Sequence, residues 1–306
     1  VAVDLARPFA HVPVLLGPVV DLLQPRAGGR YLDGTLGGGG HSQALLKASA
    51  PDGRVVGIDR DPQALAAATE RLRAYGDRFL GLHGCFGDME ALAGGHGPFD
   101  GILLDLGVSS PQLDQAERGF SLQADAFPDM RMSSEGETAS ALLDRLDEAS
   151  LVDILVRYGD EPRARRIARA ILAGRPWTST VELAACVARA SGYRNSRVHP
   201  ATRTFQALRV AVNDEEGELQ RGLDAAERLL APGGRLAVIS FQSHEDRVVK
   251  HRFRELAGID GPKDPYGQPV QVPAWELVTR KGIAGKDADT DNPRARSARL
   301  RVIARR

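Results

Sequence analysis

Cysteine is nearly missing from this chain. Two residues, Cys85 and Cys186, occur among 306, far apart and in no Cys-x-x-Cys pair. That excludes a disulfide framework and a cysteine-rich zinc site, and it suits a reducing cytoplasm. No run approaches the ~20 apolar residues of a membrane helix. The first residues, Val1 to Pro13, lack the charged-then-apolar order of a signal peptide. Charge of one sign is also lacking: 40 basic residues balance 40 acidic ones, so no global field draws in a polyanion. What remains is 42% hydrophobic and 26% charged, the composition of an ordinary globular protein with room for one large domain or a domain with an insertion.

Local charge is uneven. Arginines crowd the stretch from Arg157 to Arg209 and the tail from Arg294 to Arg306, where acids are few. Such basic surface on a neutral protein suits nucleic acid, and it equally suits solvated helix faces.

The first third alternates strand and helix. Gly29 to Asp33, Arg54 to Asp59, Phe79 to His83 and Phe99 to Leu106 read as strands, the last apolar enough for the centre of a parallel sheet. Helices are expected from His41 to Ala48, with Leu45 and Leu46 inward, and from Pro62 to about Tyr75. From Asp114 to His199 only helical spacing appears, a stretch too long for a loop. A helix from Ala201 to Leu230, a turn at Pro232-Gly233-Gly234 and a strand from Arg235 to Phe241 restore the α/β signal. Ala274 to Arg280 and Ala298 to Ala304 alternate like an edge hairpin, and the polar Gly285 to Arg296 between them reads as a mobile loop. The fold class is α/β with an inserted all-helical domain, and a sheet that ends in an antiparallel strand fits a Rossmann-like core of the class I methyltransferase type better than a nicotinamide dehydrogenase. The core is expected over 1–113 and 200–306, and the insertion over 114–199.

The chemistry concentrates after the first strand, in Asp33-Gly34-Thr35-Leu36-Gly37-Gly38-Gly39-Gly40-His41. Strand, glycine loop, helix, strand and a terminal acid, Asp59, is the layout of a nucleotide-type cofactor pocket, with the acid suited to a ribose diol. A dinucleotide pattern counted from Gly38 and Gly40 fails at Gln43, where glycine should stand. Asp33 would repel a diphosphate but suits the cationic amino-acid end of S-adenosylmethionine. Asp105 closes the fourth strand, and Ser109-Ser110-Pro111-Gln112 after it partly matches the Ser-Pro-Pro-Tyr signature of enzymes that methylate cytosine N4. Acceptors there, Ser109 and Ser110 among them, would orient an exocyclic amine. Methylating cytosine C5 instead needs a thiolate nucleophile, and neither cysteine has the sequence context for it. His41, His199, His244 and Glu245 are candidates for ligand contact, for helix capping or for a buried hydrogen bond.

These strings together resemble the bacterial 16S rRNA (cytosine-N4)-methyltransferase family RsmH, also called MraW. The resemblance runs through His11 to Leu16, Asp33 to Ser42, Ile58 to Pro62, Gly101 to Asp114, Glu117 to Ser121, Asp129 to Met132, His199 to Ala207, Ile239 to Phe241, Glu245 to Arg247 and Asn292 to Ser297. It implies methyl transfer from S-adenosylmethionine to N4 of a cytidine near the ribosomal P site. It implies cofactor contacts at Gly39, Gly40, His41, Asp59, Phe86, Asp105 and Gln112. Arg131, His199 and Arg203 are expected at the substrate. The implied partner is 16S rRNA in the small ribosomal subunit, with no membrane, and a homodimer is an expected assembly. The chain departs from the family pattern at Leu122 to Pro128, at Asp160 and Pro162, and at Gln242 and His244. Two rivals remain on residues alone: an NAD-dependent oxidoreductase, against which the missing glycine and Asp33 argue, and a ribosome-assembly or RNA-binding factor without catalysis.

Overall fold

The computed structural model describes residues 13–107, 115–133, 135–192, 198–262 and 272–306. The chain divides into two compact units, Val1–Gly107 with Gly217–Arg306, and Val108–Glu216.

In the first unit the described strands are β1 (Arg30–Asp33), β2 (Arg54–Asp59), β3 (Phe79–His83), β4 (Phe99–Asp105), β5 (Leu230–Ser240), β6 (Trp275–Leu277), β7 (Ile283–Ala284) and β8 (Arg299–Arg305). They form one sheet in the order β3-β2-β1-β4-β5-β8-β6, with β7 also on β8. The first five are parallel, and β8 runs antiparallel to β5 and β6. The strand order reverses between β1 and β4, from which the sheet grows toward opposite edges; open α/β sheets bind ligands beyond the strand ends at such a switch point. Ile102, Leu103 and Leu104 are fully buried, as both faces of a central parallel strand must be. One face packs Leu32, Ile102 and Leu104 with Leu219, Leu223 and Phe253. The other packs Tyr31, Leu103 and Ile239 with Leu45, Leu46 and Leu72. The expected inward placement of Leu45 and Leu46 holds.

Three expectations need adjusting. The turn at Pro232-Gly233-Gly234 is an irregularity inside β5: Phe99 pairs with Leu230 and Gly101 with Arg235, so four residues bulge opposite Asp100. The expected single helix from Ala201 to Leu230 is two, Thr202–Val212 and Glu215–Leu229. They break where Asp214 takes φ 48° and Asn213 turns its side chain to Met130 O and Met132 N, each at 2.7 Å. The polar Gly285 to Arg296 is not a mobile loop. It holds a helical turn, Gly285–Ala288, and a 3-10 turn, Pro293–Ser297. Ala295 there is fully buried, and Asp289 accepts a 2.8 Å bond from the Leu15 amide.

The second unit is helical in its regular elements: Ala139–Arg145, Glu148–Gly159, Ala164–Ala173, Thr180–Ser191 and Thr202–Val212. Thr138, Asp147 and Ser179 cap the helices that follow them. Leu151, Leu155, Ile167, Ile171, Leu183 and Val187 make its core, and Phe205 and Leu208 of Thr202–Val212 belong to it. The observed division at Glu216 therefore lies beyond the expected one at 199, because that helix buries its apolar face among the helical unit's residues.

Candidate active site

Parallel pairing brings three acids to one end of the sheet. Asp33 ends β1, Asp59 ends β2 and Asp105 ends β4. The loop from Gly34 to Gly39 folds over these ends. Gly34 N donates to Leu103 O and Leu36 N to Ile58 O, each at 2.9 Å. A Cβ on Gly34 would stand 2.6 Å from a Leu104 methyl, and Gly37 and Gly39 take φ of 51° and 74°. Glycine at 34 is thus required by close approach, and at 37 and 39 by the left-handed backbone. Gly40 lies against Pro13 and opens the helix Gly40–Ala48.

Each oxygen of Asp59 accepts one backbone bond, from Gly37 N at 2.7 Å and from Asp61 N at 2.8 Å. A carboxylate has about four lone-pair sites, so capacity remains for two ribose hydroxyls. Asp61 is the N-cap of the helix Pro62–Leu72. Burial raises the Asp59 carboxyl above its ordinary range, against the two backbone bonds that lower it.

Asp33 is 1% exposed. Its oxygens accept from Ser42 Oγ at 2.7 Å and from Thr35 N at 3.3 Å. The carboxylate is therefore sealed beneath Ser42 and Thr35, so its charge can reach a neighbouring group only through its field. Burial pushes its carboxyl up to about 6; the Ser42 and Thr35 bonds oppose this and Asp59 adds to it. The Asp105 carboxyl is raised well above its ordinary range, by burial first and then by Asp33 and Glu245. Its amide donates to Thr35 Oγ1 at 2.6 Å, and its Oδ1 is buried without a hydrogen-bond partner among the described residues. A buried carboxylate oxygen left open at the end of a central strand is where a donor or cation fits.

The His41 ring is buried. Nε2 donates to Val14 O at 3.0 Å, and Nδ1 lies 3.8 Å from Asp105 Oδ2. The imidazole is thus committed to the protein. Phe86 opens the 3-10 turn Phe86–Asp88. Its ring lies on the backbone of Gly222, where a Cβ would come within 2.5 Å, and it is half-buried. Glu245 is both a helix cap and a charge in the site: Oε2 accepts from Phe241 N at 3.0 Å and Gln242 N at 3.1 Å, in a capping box with Gln242. The departure at Gln242 is therefore compatible with helix initiation. The departing segment at Ala126 is tied down through Thr180, by a 2.8 Å bond from Thr180 N to Ala126 O and a 3.1 Å bond from Ala126 N to Thr180 Oγ1.

Ser109, Ser110 and Gln112 lie outside the described residues. The three substrate candidates fall in the helical unit. Arg131 is held bidentately by Asp129 at 2.7 and 2.8 Å. His199 is exposed, and its Nδ1 accepts from Ala201 N at 3.2 Å. Arg203 is exposed and donates to Asp160 O at 3.0 Å. Cys85 and Cys186 are free thiols, both pushed up by burial, the opposite of what an attacking thiolate requires.

A cationic cofactor fits this site and a dinucleotide does not. The Asp33 and Glu245 carboxyls both act on Asp105 and make its negative charge costly. A diphosphate beside them would add to that repulsion, whereas a sulfonium or ammonium would relieve it.

Comparison with known proteins agrees. The family model of the MraW methylase family matches residues 8–306. A protein of Gluconobacter oxydans named ribosomal RNA small subunit methyltransferase H is 50% identical over 301 residues, covering 96% of this chain and 92% of its own length. Proteins of the same name from Trichlorobacter lovleyi and Maricaulis maris are 49% and 47% identical, covering 97% and 91% of their own lengths and 96% of this chain. A match that begins within the first residues and runs to the last, with half the positions shared along whole relatives, leaves one assignment: this chain belongs to the MraW methylase family, whose members are S-adenosylmethionine-dependent methyltransferases.

Proposed function

We propose that this protein transfers the methyl group of S-adenosylmethionine to the exocyclic N4 of a cytidine in 16S rRNA, in the decoding region of the small ribosomal subunit. The observation that carries the cofactor half is the open, buried Oδ1 of Asp105 beside Asp33 and Glu245. The RNA half rests on the names of the relatives and on the arginines of the helical unit.

When bound, S-adenosylmethionine supplies an electrophilic methyl on a positively charged sulfur. The chain's own groups do the rest. The backbone at Gly39, Gly40 and His41 and the Asp105 carboxyl hold the amino-acid end, Asp59 the ribose, and Phe86 borders the adenine. Ser109 and Ser110, which follow Asp105 in the sequence, would supply acceptors that orient the N4 lone pair toward the methyl, and Gln112 would contact the cofactor. N4 would accept the methyl with S-adenosylhomocysteine as the leaving product, and the N4 proton would pass to water. Asp33 and Asp105 stabilise positive charge at both stages and need not move. The target base must leave its stack, at a cost of a few kcal/mol. Arginines of the helical unit, Arg203 among them, hold phosphates, so binding weakens with salt. Such a substrate belongs to the cytoplasm. Homodimer formation is part of the same proposal and is checked by sedimentation equilibrium.

The test is transfer of labelled methyl to small subunits that lack the modification, followed by nucleoside digestion. Label in N4-methylcytidine supports the reading. Label in 5-methylcytidine, or none, refutes it. Titration with S-adenosylhomocysteine and with NAD separates the oxidoreductase rival: the first binds and the second does not.

A further inference from the structure

The turn after β3 is gripped by residues to which the site has so far assigned no part. Gly84 N donates to Asp59 O at 3.0 Å, so the chain leaves β3 alongside the acid that ends β2. Phe86 comes two residues later and opens the 3-10 turn Phe86–Asp88. A Cβ on Gly34, at the start of the glycine loop, would stand 3.2 Å from the Phe86 Cβ. Phe86 therefore sits between the glycine loop and Gly222 of the helix Glu215–Leu229.

Glu218 is the informative residue. It is 7% exposed, on a helix whose Leu219 and Leu223 belong to the apolar core. A carboxylate buried there is costly unless donors answer it. Three do. Oε2 accepts from Gly87 N at 2.9 Å, and Oε1 from Arg221 Nη2 at 3.0 Å. The third is the Cys85 thiol. Burial raises it first, Arg60 opposes, and Glu218, to which it hydrogen-bonds, raises it further, so it keeps the proton it donates. The carboxylate thus holds the residues on either side of Phe86. Gly222 lies four residues beyond Glu218, on the same face of the helix. A Cβ there would stand 2.5 Å from the Phe86 Cδ2 and 2.7 Å from Cε2, so glycine alone leaves the ring its place.

An apolar side chain at 218 would cover the core without the cost of a buried charge. It could not hold the Gly87 amide and the Cys85 thiol. With both flanks of Phe86 tied and its ring seated on Gly222, the turn is ordered by the fold before a ligand arrives. Binding then does not have to supply that ordering, and affinity gains by it. We propose that Glu218 and Gly222 are positioning residues for Phe86, and that through Phe86 they set how tightly the adenosine end of S-adenosylmethionine is held. This rests on the cofactor half of the function proposed above, in which Phe86 borders the adenine. Glu218 fixes the backbone of the turn, and Gly222 fixes the height of the ring.

The experiment is calorimetric titration of the full chain with S-adenosylhomocysteine, with thermal unfolding of each ligand-free variant beside it. Glu218→Ala removes the acceptor and weakens binding about tenfold. Glu218→Gln keeps one oxygen for the Gly87 amide and recovers most of the affinity. Gly222→Ala keeps every one of these hydrogen bonds but displaces the ring, and it also weakens binding about tenfold; it carries the test if Glu218→Ala folds poorly. The deciding arm is a double-mutant cycle with Phe86→Ala. In that background Gly222→Ala and Glu218→Ala change the affinity less than twofold, because the residue they act through is gone. Unchanged affinity in both single variants overturns the inference, and so does a full tenfold loss that persists without the Phe86 ring. Losses that follow the expected cycle, in a protein that methylates no cytidine, uphold the positioning role and refute the proposed reaction instead. A wild type without affinity for S-adenosylhomocysteine overturns both.

Discussion

Replacing Asp33 by asparagine separates the fold's needs from those of the site. Asp33 is 1% exposed and has its carboxyl raised from 3.8 to about 6, chiefly by burial. The folded state therefore holds this proton more tightly than the unfolded state does. Below about pH 3.8 both states are protonated and the residue makes no difference. As pH rises from there to about 6, the unfolded chain gives up its proton first, and stability falls; above about 6 the loss is constant. At 1.36 kcal/mol per pH unit the interval amounts to about 3 kcal/mol. The asparagine never ionises. Its oxygen still accepts from Thr35 N, and its amide replaces the Ser42 bond with the donor reversed. The Asp33→Asn variant is expected to be more stable than wild type at about pH 8, by up to ~3 kcal/mol, and equal to it near pH 4. Its affinity for S-adenosylmethionine falls about tenfold, since a negative charge beside the cationic ligand is gone. Urea unfolding across this pH range, followed through Trp275, which is buried at the sheet edge, measures the first effect, and calorimetry the second. Stability curves for the two proteins that run parallel from pH 4 to about 8 would show instead that the charge of Asp33 costs the fold nothing.

Two further substitutions follow from the same geometry. Gly39→Ala forces φ 74° on an alanine and sets its methyl 3.2 Å from the Ala68 methyl; thermal unfolding should show a loss of about 1–2 kcal/mol, with cofactor binding weakened further. Asp59→Asn leaves one acceptor oxygen for two backbone amides, Gly37 N and Asp61 N, so S-adenosylhomocysteine affinity should drop by about tenfold or more in a direct titration.

The strands of the sheet were legible because each is a short apolar run bounded by turn residues, and the three acids were legible because each ends such a run. What the acids do to one another was not. That Asp33 is sealed under Ser42, and that Asp105 Oδ1 is open, depends on the parallel pairing of β1 with β2 and β4. His41 could be named from the glycine loop, but its ring direction depends on Val14, far away in the chain. The break between the helices Thr202–Val212 and Glu215–Leu229 was hidden for a similar reason. Asn213 is an ordinary helix residue by sequence until its side chain meets Met130 and Met132. Polar composition misled at Gly285 to Arg296, since a segment can be fixed by backbone bonds and one carboxylate, here Asp289, without an apolar pattern.

The glycine-loop site, with Asp105 open toward its ligand, is proposed to deliver methyl to cytidine N4. The most direct measurement is mass-spectrometric nucleoside mapping of 16S rRNA from cells that lack their own enzyme of this family, complemented with this chain or with its Asp105→Asn variant. The account predicts N4-methylcytidine restored at one decoding-region site by the wild type, and little or none with the variant. Full methylation by Asp105→Asn, or a wild type that restores nothing, would contradict it.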